Sequence, residues 1–330
     1  MITNLKVLLT GAFGNVGQNT LKQLIMRNHD VTCFDLPTLP NKKICAKLSK
    51  KLRFRIIWGN ILNKKDLSEV VEGIECIIHL AAIIPPLSEE KPELAHKVNV
   101  DGTRNLIDAV KKLPNKLRFI LASSESVYGV TMHLKSYVRA DNPIDPSDNY
   151  SRSKVECEKM LIESGLPWMI LRLAAVSVEK IPRKFDSILF EMPLNQRIEF
   201  ISSYDCGIAF ANAVMIDEIN KIFLIGGGEG CQLLERDFLK GFFDAFGLAM
   251  LPEKAFKVAK KKEDWFYIDW MDTKESQKIL QFQTETFQQY VKRMKHDYRI
   301  RRLGLKIIAP LAKLALLRMS PYFKFGLTGN

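Results

Sequence analysis

Short apolar runs alternate with amphipathic stretches through the first half of the chain. Lys6–Thr10, Val31–Asp35, Phe54–Trp58, Cys76–Leu80, Phe119–Ser123 and Trp168–Leu173 are mostly apolar at successive positions. A strand of that kind is buried on both faces. Between the runs lie stretches with helical patterning, notably Glu93–Lys112, Tyr150–Ser164 and the segment from the glycine-rich turn at 11–17 to about Asn28. Gly, Pro and Asn mark the joints. Strand and helix in alternation predict an α/β chain with a doubly wound parallel sheet covered on both faces. The second half is less regular. Ile222–Ile225 reads as one more buried strand, returning to the same sheet and ending at Gly226-Gly227-Gly228. Arg236–Phe246 has helical periodicity, and its aromatic stripe of Phe238, Phe242, Phe243 and Phe246 reads as core. The pattern divides the chain into residues 1–176, residues 177–290 as a smaller lobe, and a tail over 291–330.

Composition adds two constraints. Of 330 residues 47% are hydrophobic and 26% charged, which excludes a disordered or low-complexity chain. The cysteines at 33, 45, 76, 157, 206 and 231 form no C-x-x-C pair and have no accompanying His cluster, so they read as buried thiols; neither a zinc site nor a disulfide framework is expected. Met1-Ile2-Thr3-Asn4 leads straight into a strand without the basic and apolar regions of a secretory signal, and the chain is expected to be cytoplasmic.

Net charge is +12, but it is concentrated. Residues 291–330 hold ten Lys or Arg against one acid, Asp297, which leaves the body near neutral and excludes a generally basic nucleic-acid binder. In the tail, Arg299, Arg302, Lys306 and Lys313 share a helical face, and Leu303, Ile307, Ile308, Leu311, Leu314, Ala315 and Leu317 supply apolar area. Pro310 is expected to end one helix and start another. Two uses fit such a tail: peripheral association with an anionic membrane surface, or packing on its own domain or on a homodimer mate. The concentration of charge favours the membrane. Lys42, Lys43, Lys47, Lys50 and Lys51 read as a solvated helix face.

Candidate chemistry lies at three places. The strand Lys6–Thr10 runs into Gly11, Gly14 and Gly17 and then a helix. Glycines let a backbone approach a pyrophosphate closely, and a helix N-terminus offers free N–H groups. Asp35 ends the second strand 18 residues after Gly17, where a carboxylate accepts hydrogen bonds from an adenosine ribose and repels a 2′-phosphate. No Arg adjoins it, so NAD is favoured over NADP. Tyr150 and Lys154 are spaced i, i+4 on a helix, which projects phenol and ammonium together. A neighbouring cation favours the phenolate, so Lys154 is expected to lower the Tyr150 pKa toward the working range. Ser124 lies just past the fifth strand, where its hydroxyl could bond the same substrate oxygen.

With these residues in place, the chain resembles an extended short-chain dehydrogenase/reductase of the NAD-dependent epimerase/dehydratase type. The resemblance rests on Thr10-Gly11-Ala12-Phe13-Gly14-Asn15-Val16-Gly17, His79-Leu80-Ala81-Ala82, the run from Asn99 to Leu106, Ser123 to Gly129, Tyr150 to Lys154, and Leu171-Arg172. It implies a Rossmann-like fold with NAD across the strand ends and Ser124, Tyr150 and Lys154 as catalytic triad. It also implies cofactor contacts from Gly11, Phe13, Gly14, Asn15, Val16, Gly17, Asp35, Asn60, Ile61, Leu80, Ala81, Ala82, Ile84, Asn99, Tyr150 and Lys154. Asn99 would support the fold or a proton-relay water, and His79 would be a packed strand residue. Asn60 stands where the family often has Asp near the adenine, and its amide can still bond an adenine edge. Ser126 stands where 4,6-dehydratases carry Glu, with Glu125 one place earlier, which favours an epimerase or a simple dehydrogenase. The family's Tyr-Gly-Pro turn after Arg172 is missing, so no substrate-binding residue carries over beyond it. The activity implied is oxidation or reduction of a small-molecule secondary alcohol or ketone, foremost a nucleotide sugar. Alternatives are a sterol- or isoprenoid-like alcohol, and a non-catalytic NAD-binding module of a membrane complex.

Overall fold

The structure is a computed structural model and describes residues 4–179 and 187–324. Met1 to Thr3, residues 180–186 of the expected lobe, residues 325–330 of the tail and the side chains of Lys306, Ile307 and Ile308 lie outside the described residues.

Seven parallel strands make the main sheet. The first half supplies β1 (Lys6–Thr10), α1 (Asn15–Met26), β2 (Asp30–Asp35), α2 (Leu39–Leu48), β3 (Arg55–Trp58), α3 (Lys64–Val70) and β4 (Cys76–His79). Short helices α4 (Leu87–Glu90) and α5 (Pro92–His96) lead to α6 (Gly102–Lys111), β5 (Arg118–Ser124), α7 (Asn149–Ile162) and β6 (Trp168–Leu173). After β7 (Ala175–Val176), β8 (Arg197–Ile201) and α8 (Ser203–Ala213), β9 (Lys221–Ile225) returns to the sheet. The strand order is β3-β2-β1-β4-β5-β6-β9. The chain therefore winds outward from β1 in one direction and resumes on its other side at β4. Ligands of such sheets bind in the crevice at the carboxyl ends of the two strands where the winding reverses, here β1 and β4.

The near-continuous apolar runs are explained by the two layers. Val7 and Leu9 face one core with Ile78, Ile120 and α8, while Leu8, Ile77, Phe119 and Leu121 face the other with α6 and α7. All six cysteines are buried free thiols. Lys42, Lys43, Lys47, Lys50 and Lys51 are exposed, as expected.

Two differences from the sequence pattern have physical causes. The expected helix 93–112 is broken into α5 and α6 by a wide π turn at Lys97–Asp101, which turns Asn99 into the interior. Such turns gather at functional sites. Pro310 does not split the last helix: α12 runs from Arg299 to Met319 through it. The missing backbone bond is tolerated because contacts anchor the helix on both sides of it, Arg302 to the Asp244 carbonyl at 2.8 Å and buried Leu316 and Leu317 beyond. Helix α11 spans Phe287–Asp297.

The second half holds elements that period alone did not reveal. β10 (Gln232–Leu234) pairs with β8, and β8 with β7, in a small three-stranded sheet. α9 (Glu235–Ala245) carries the aromatic stripe into a core with Phe200, Phe287 and Tyr290, and α10 (Lys274–Leu280) precedes α11. The start of the tail is tied to the body. Arg293 bonds Glu285 and Glu179 at 2.7 Å each, Tyr290 donates to the Val178 carbonyl at 2.8 Å, and Tyr298 donates to that of Glu179 at 2.9 Å.

Candidate active site at the carboxyl ends of the strands

Where β1 ends, Gly11 has φ of 66°, a left-handed conformation that glycine adopts freely. A Cβ on it would stand 2.8 Å from the Ala81 backbone nitrogen, and one on Gly17 would stand 2.2 Å from the Gly11 carbonyl oxygen. The turn thus packs backbone on backbone between β1 and β4, and α1 starts with Gly14 as a cap lacking any side-chain partner. Its first N–H groups are left open toward the crevice, the arrangement that receives a phosphate.

Asp35 reaches across to this turn. One carboxylate oxygen accepts from the Phe13 N–H at 3.0 Å; the other accepts from the Leu36 N–H at 2.8 Å and the Asn41 amide at 3.0 Å. Burial raises its pKa and these backbone donors oppose the rise. Asn41 was not singled out by the sequence, since only the turn after β2 brings it beside Asp35. The Asn60 side-chain amide oxygen accepts from the Leu62 N–H at 3.0 Å, and the Ile61 side chain is buried in the core. Leu80, Ala81 and Ala82 are half-buried and Ile84 is exposed along the β4 end of the crevice.

His79 is neutral and structural. The Thr10 hydroxyl accepts from Leu80 and Ala81 backbone N–H groups and lies 2.7 Å from His79 Nδ1. His79 Nε2 is 3.0 Å from the Thr103 hydroxyl, which donates to the Asn99 carbonyl at 2.5 Å. One tautomer satisfies the chain: Nδ1 accepts and Nε2–H donates. Burial first, then the nearby Lys154 charge, push the imidazole pKa down to about 3. A base with a depressed folded pKa stabilises the fold above its unfolded value near 6.5 and loses that contribution as pH falls toward the folded value. Between pH 6.5 and 5 this group should withdraw about 2 kcal/mol. Glu199 works the other way. Burial raises its pKa from 4.5 to about 7, so it gains stability as pH falls through 7. The comparison is therefore between variants: in urea melts, His79→Asn should lose less stability than the wild type between pH 7 and 5. Parallel pH profiles would mean that His79 protonates without penalty.

Asn99 holds the loop after β4. Its side-chain amide oxygen accepts from the Ile83 N–H at 2.7 Å, and its amide nitrogen donates to the Ile83 carbonyl at 2.9 Å and lies 3.3 Å from the Ser153 hydroxyl. With both ends of the amide in use, the geometry favours the supporting role over a water relay.

Ser124, Tyr150 and Lys154 are brought together. Ser124 ends β5 and its hydroxyl accepts from the Ser126 N–H at 3.2 Å. It lies beside the Tyr150 phenol, where it favours the phenolate. Tyr150 sits in the first turn of α7, and the Lys154 ammonium lies 5.6 Å from its ring centroid. One expectation is corrected. The Tyr150 pKa is raised, not lowered, chiefly by burial and then by the Asp148 and Cys157 charges, with the Ser124 hydroxyl opposing. The Lys154 ammonium donates to the Ala122 carbonyl at 2.8 Å, and its charge is not among the causes of the Tyr150 shift. Burial also lowers the Lys154 pKa.

Several residues that frame Tyr150 escaped the sequence reading. Asp148 caps α7, accepting from the Ser151 N–H at 2.7 Å, while the Ser151 hydroxyl bonds back to the Asp148 N–H at 3.1 Å. The spacing of Asp and Ser just before Tyr150 was the available signal. Glu89, in α4, accepts from the Asn149 and Tyr150 N–H groups at 3.2 and 3.1 Å. A carboxylate there completes a helix N-terminus. Tyr267, from the distant second half, interacts with Asp148 and faces Glu89 and Tyr150. Nothing local marks that contact.

Comparison with known proteins follows this geometry. Residues 7–192 match the NAD dependent epimerase/dehydratase family. A 3-beta-hydroxysteroid dehydrogenase of Mycolicibacterium neoaurum is 31% identical over 166 residues, 48% of this chain and 42% of the relative. A D-erythronate dehydrogenase of Haemophilus influenzae is 27% identical over 207 residues, 58% of this chain and 62% of the relative. This chain thus spans about two-fifths to three-fifths of these relatives' length. The crystal structure of a UDP-glucuronic acid 4-epimerase from Bacillus cereus, in complex with UDP-glucuronic acid and NAD, superposes with a TM-score of 0.72. It is 23% identical and covers 89% of this chain and 100% of its own, a likeness of fold.

Proposed function

The chain belongs to the NAD-dependent epimerase/dehydratase family, and on that premise we propose that it is an NAD-dependent oxidoreductase acting at a secondary alcohol or ketone, foremost of a nucleotide sugar. The observation that carries the reading is the convergence of Ser124, Tyr150 and Lys154 at the crevice whose other wall is the Gly11–Gly17 turn. The residues fit the cofactor. Gly11 and Gly17 let the turn pack tightly on its own backbone and on Ala81 beside the start of α1, and Asp35 presents a carboxylate beside the Phe13 backbone for a ribose. Leu80, Ala81, Ala82 and Ile84 would form the wall beside it. When bound, the nicotinamide supplies two-electron chemistry, accepting hydride from a carbinol carbon or returning it to a carbonyl.

The chain's own residues then handle the proton. Tyr150, held neutral by burial, donates its phenolic proton to a carbonyl oxygen, or accepts one from an alcohol once its anion is stabilised. Ser124 orients that oxygen. Lys154 is the cation within reach for stabilising the phenolate. A lipophilic alcohol is the second reading, favoured by the exposed Ile300, Leu303 and Leu311 on α12. The cationic arm over residues 291–330 gives the protein a second partner, an anionic membrane surface.

Two measurements test the proposal. Products formed from NAD with a panel of nucleotide sugars, and of lipophilic secondary alcohols, separate the two substrate classes; no turnover of either class would refute an oxidoreductase of this kind. Binding of NAD and NADP tests the cofactor. NAD should bind more tightly, and Asp35→Ala should narrow the preference by roughly tenfold, about 1.4 kcal/mol, by relieving repulsion of the 2′-phosphate. Tighter NADP than NAD binding by the unmutated protein would exclude the assignment of Asp35.

A further inference from the structure

Resting on that reading of the arm, we infer that α12 is a two-faced helix that lies in the plane of an anionic bilayer while staying docked on its own body. The docked face is visible. Leu316 and Leu317 are buried with Phe190, Leu239, Phe243 and Phe256. Arg302 bonds the Asp244 carbonyl at 2.8 Å and its carboxylate at 3.4 Å, and the Ser320 hydroxyl donates to the Ala255 carbonyl at 2.5 Å. Arg302 therefore does not belong to the free cationic face on which the sequence placed it.

Another side is apolar and exposed among the described residues. Ile300, Leu303, Leu311 and Leu314 are 76%, 66%, 70% and 38% exposed. At 100° per residue they fall within about 80° of arc, centred opposite Leu316, with Leu317 about 40° beyond the Leu303 edge. Exposed Arg299 and Lys313 flank one border of the stripe, Arg301 flanks the other, and Arg318 stands at its end. A narrow apolar stripe between cationic borders matches a bilayer interface, in which leucines enter the acyl boundary and arginines meet lipid phosphates.

A second copy of the chain is a poorer occupant. The helix from Arg299 to Met319 contains no Asp or Glu, so pairing two stripes would bring like charges together with none to match them. A nucleic acid would use the cations and leave the leucines in water. Crossing the bilayer is not implied, for among the described residues no helix is long and apolar enough.

The test is flotation of the full chain with vesicles of phosphatidylglycerol and phosphatidylcholine, and with phosphatidylcholine alone, at low and high salt. The protein should float with the anionic vesicles at low salt. Leu303→Glu with Leu311→Glu should reduce its partition at least tenfold while leaving the thermal melt and NAD affinity unchanged. Leu303→Ser with Leu311→Ser, which adds no charge, should give a smaller loss in the same direction. Full-length protein that stays in the soluble fraction overturns the inference. So does a double-Glu variant that floats like the wild type, which would reduce the contact to charge alone. A lipid-free dimer that the double-Glu variant converts to monomer would assign the stripe to a second copy and also overturn it. NAD titration is read separately, so failure of the arm and failure of the catalytic reading are distinguishable.

Discussion

Replacing Tyr150 with Phe is expected to abolish turnover and to leave NAD affinity within a few fold. The ring remains, so packing against the Lys154 chain and the crevice wall is retained. What is lost is the one group placed to exchange a proton with a substrate oxygen that also reaches the Ser124 hydroxyl. A positioned acid or base is worth roughly 10²–10⁴ in rate. Because burial and Asp148 raise the Tyr150 pKa, the phenol is protonated at neutral pH. Carbonyl reduction, which consumes that proton, should hold its rate through neutral pH, and alcohol oxidation, which needs the phenolate, should rise toward alkaline pH. Lys154→Met should lower turnover and cofactor affinity together, as the ammonium also lies within the crevice. Single-turnover rates in both directions across pH, with NAD binding measured alongside, decide the matter. Near-normal turnover by Tyr150→Phe would place the proton carrier elsewhere. An oxidation rate independent of pH would show that the phenolate is not the base.

The parts legible in the sequence were those whose signal is local. Each strand of the main sheet is a short apolar run bounded by turn residues, so β1 to β6 and β9 were found within two residues at each end. The i, i+4 pair Tyr150 and Lys154 needed only a helix, and Ser124 needed only its strand end. What failed depends on distance or on competition. The spacing of Tyr150 and Lys154 does not reveal that the Ala122 carbonyl holds the ammonium. The residue 93–112 pattern is helical throughout, and only the demand that Asn99 bond Ile83 explains the turn that interrupts it. Pro310 reads as a break in isolation, and tertiary anchoring overrides it. In the tail, sequence counts ten cations, but Arg293, Lys295 and Arg302 are bonded to Glu179, Glu285 and Asp244 of the body.

Behind the catalytic trio lies a buried ion pair, and Arg172→Met is expected to destabilise the fold by about 3–5 kcal/mol. Arg172 and Glu158 are each 4% exposed at the side chain. The guanidinium donates to both carboxylate oxygens, at 3.0 and 2.6 Å, and to the Tyr128 hydroxyl at 2.6 Å, and Ser123 donates to the same carboxylate at 2.5 Å. These contacts tie β6 to α7 and to the end of β5, the elements that carry Lys154, Tyr150 and Ser124. The size of the loss comes from what remains. Desolvating two charges largely offsets their attraction, so the intact pair adds little net stability, but removing one partner strands the other charge in the core. Glu158→Leu alone should be comparably damaging, since it strands the guanidinium. Combining Arg172→Met with Glu158→Leu should recover much of the loss, because an apolar pair of similar volume removes both desolvation terms. Urea unfolding of the four proteins, read as a double-mutant cycle, measures the coupling. Additive losses in the double variant would show that the two side chains act independently. If the double variant regains stability yet turns over slowly, the pair serves to fix the alignment of α7 against β5, and with it the distance between Tyr150 and Ser124.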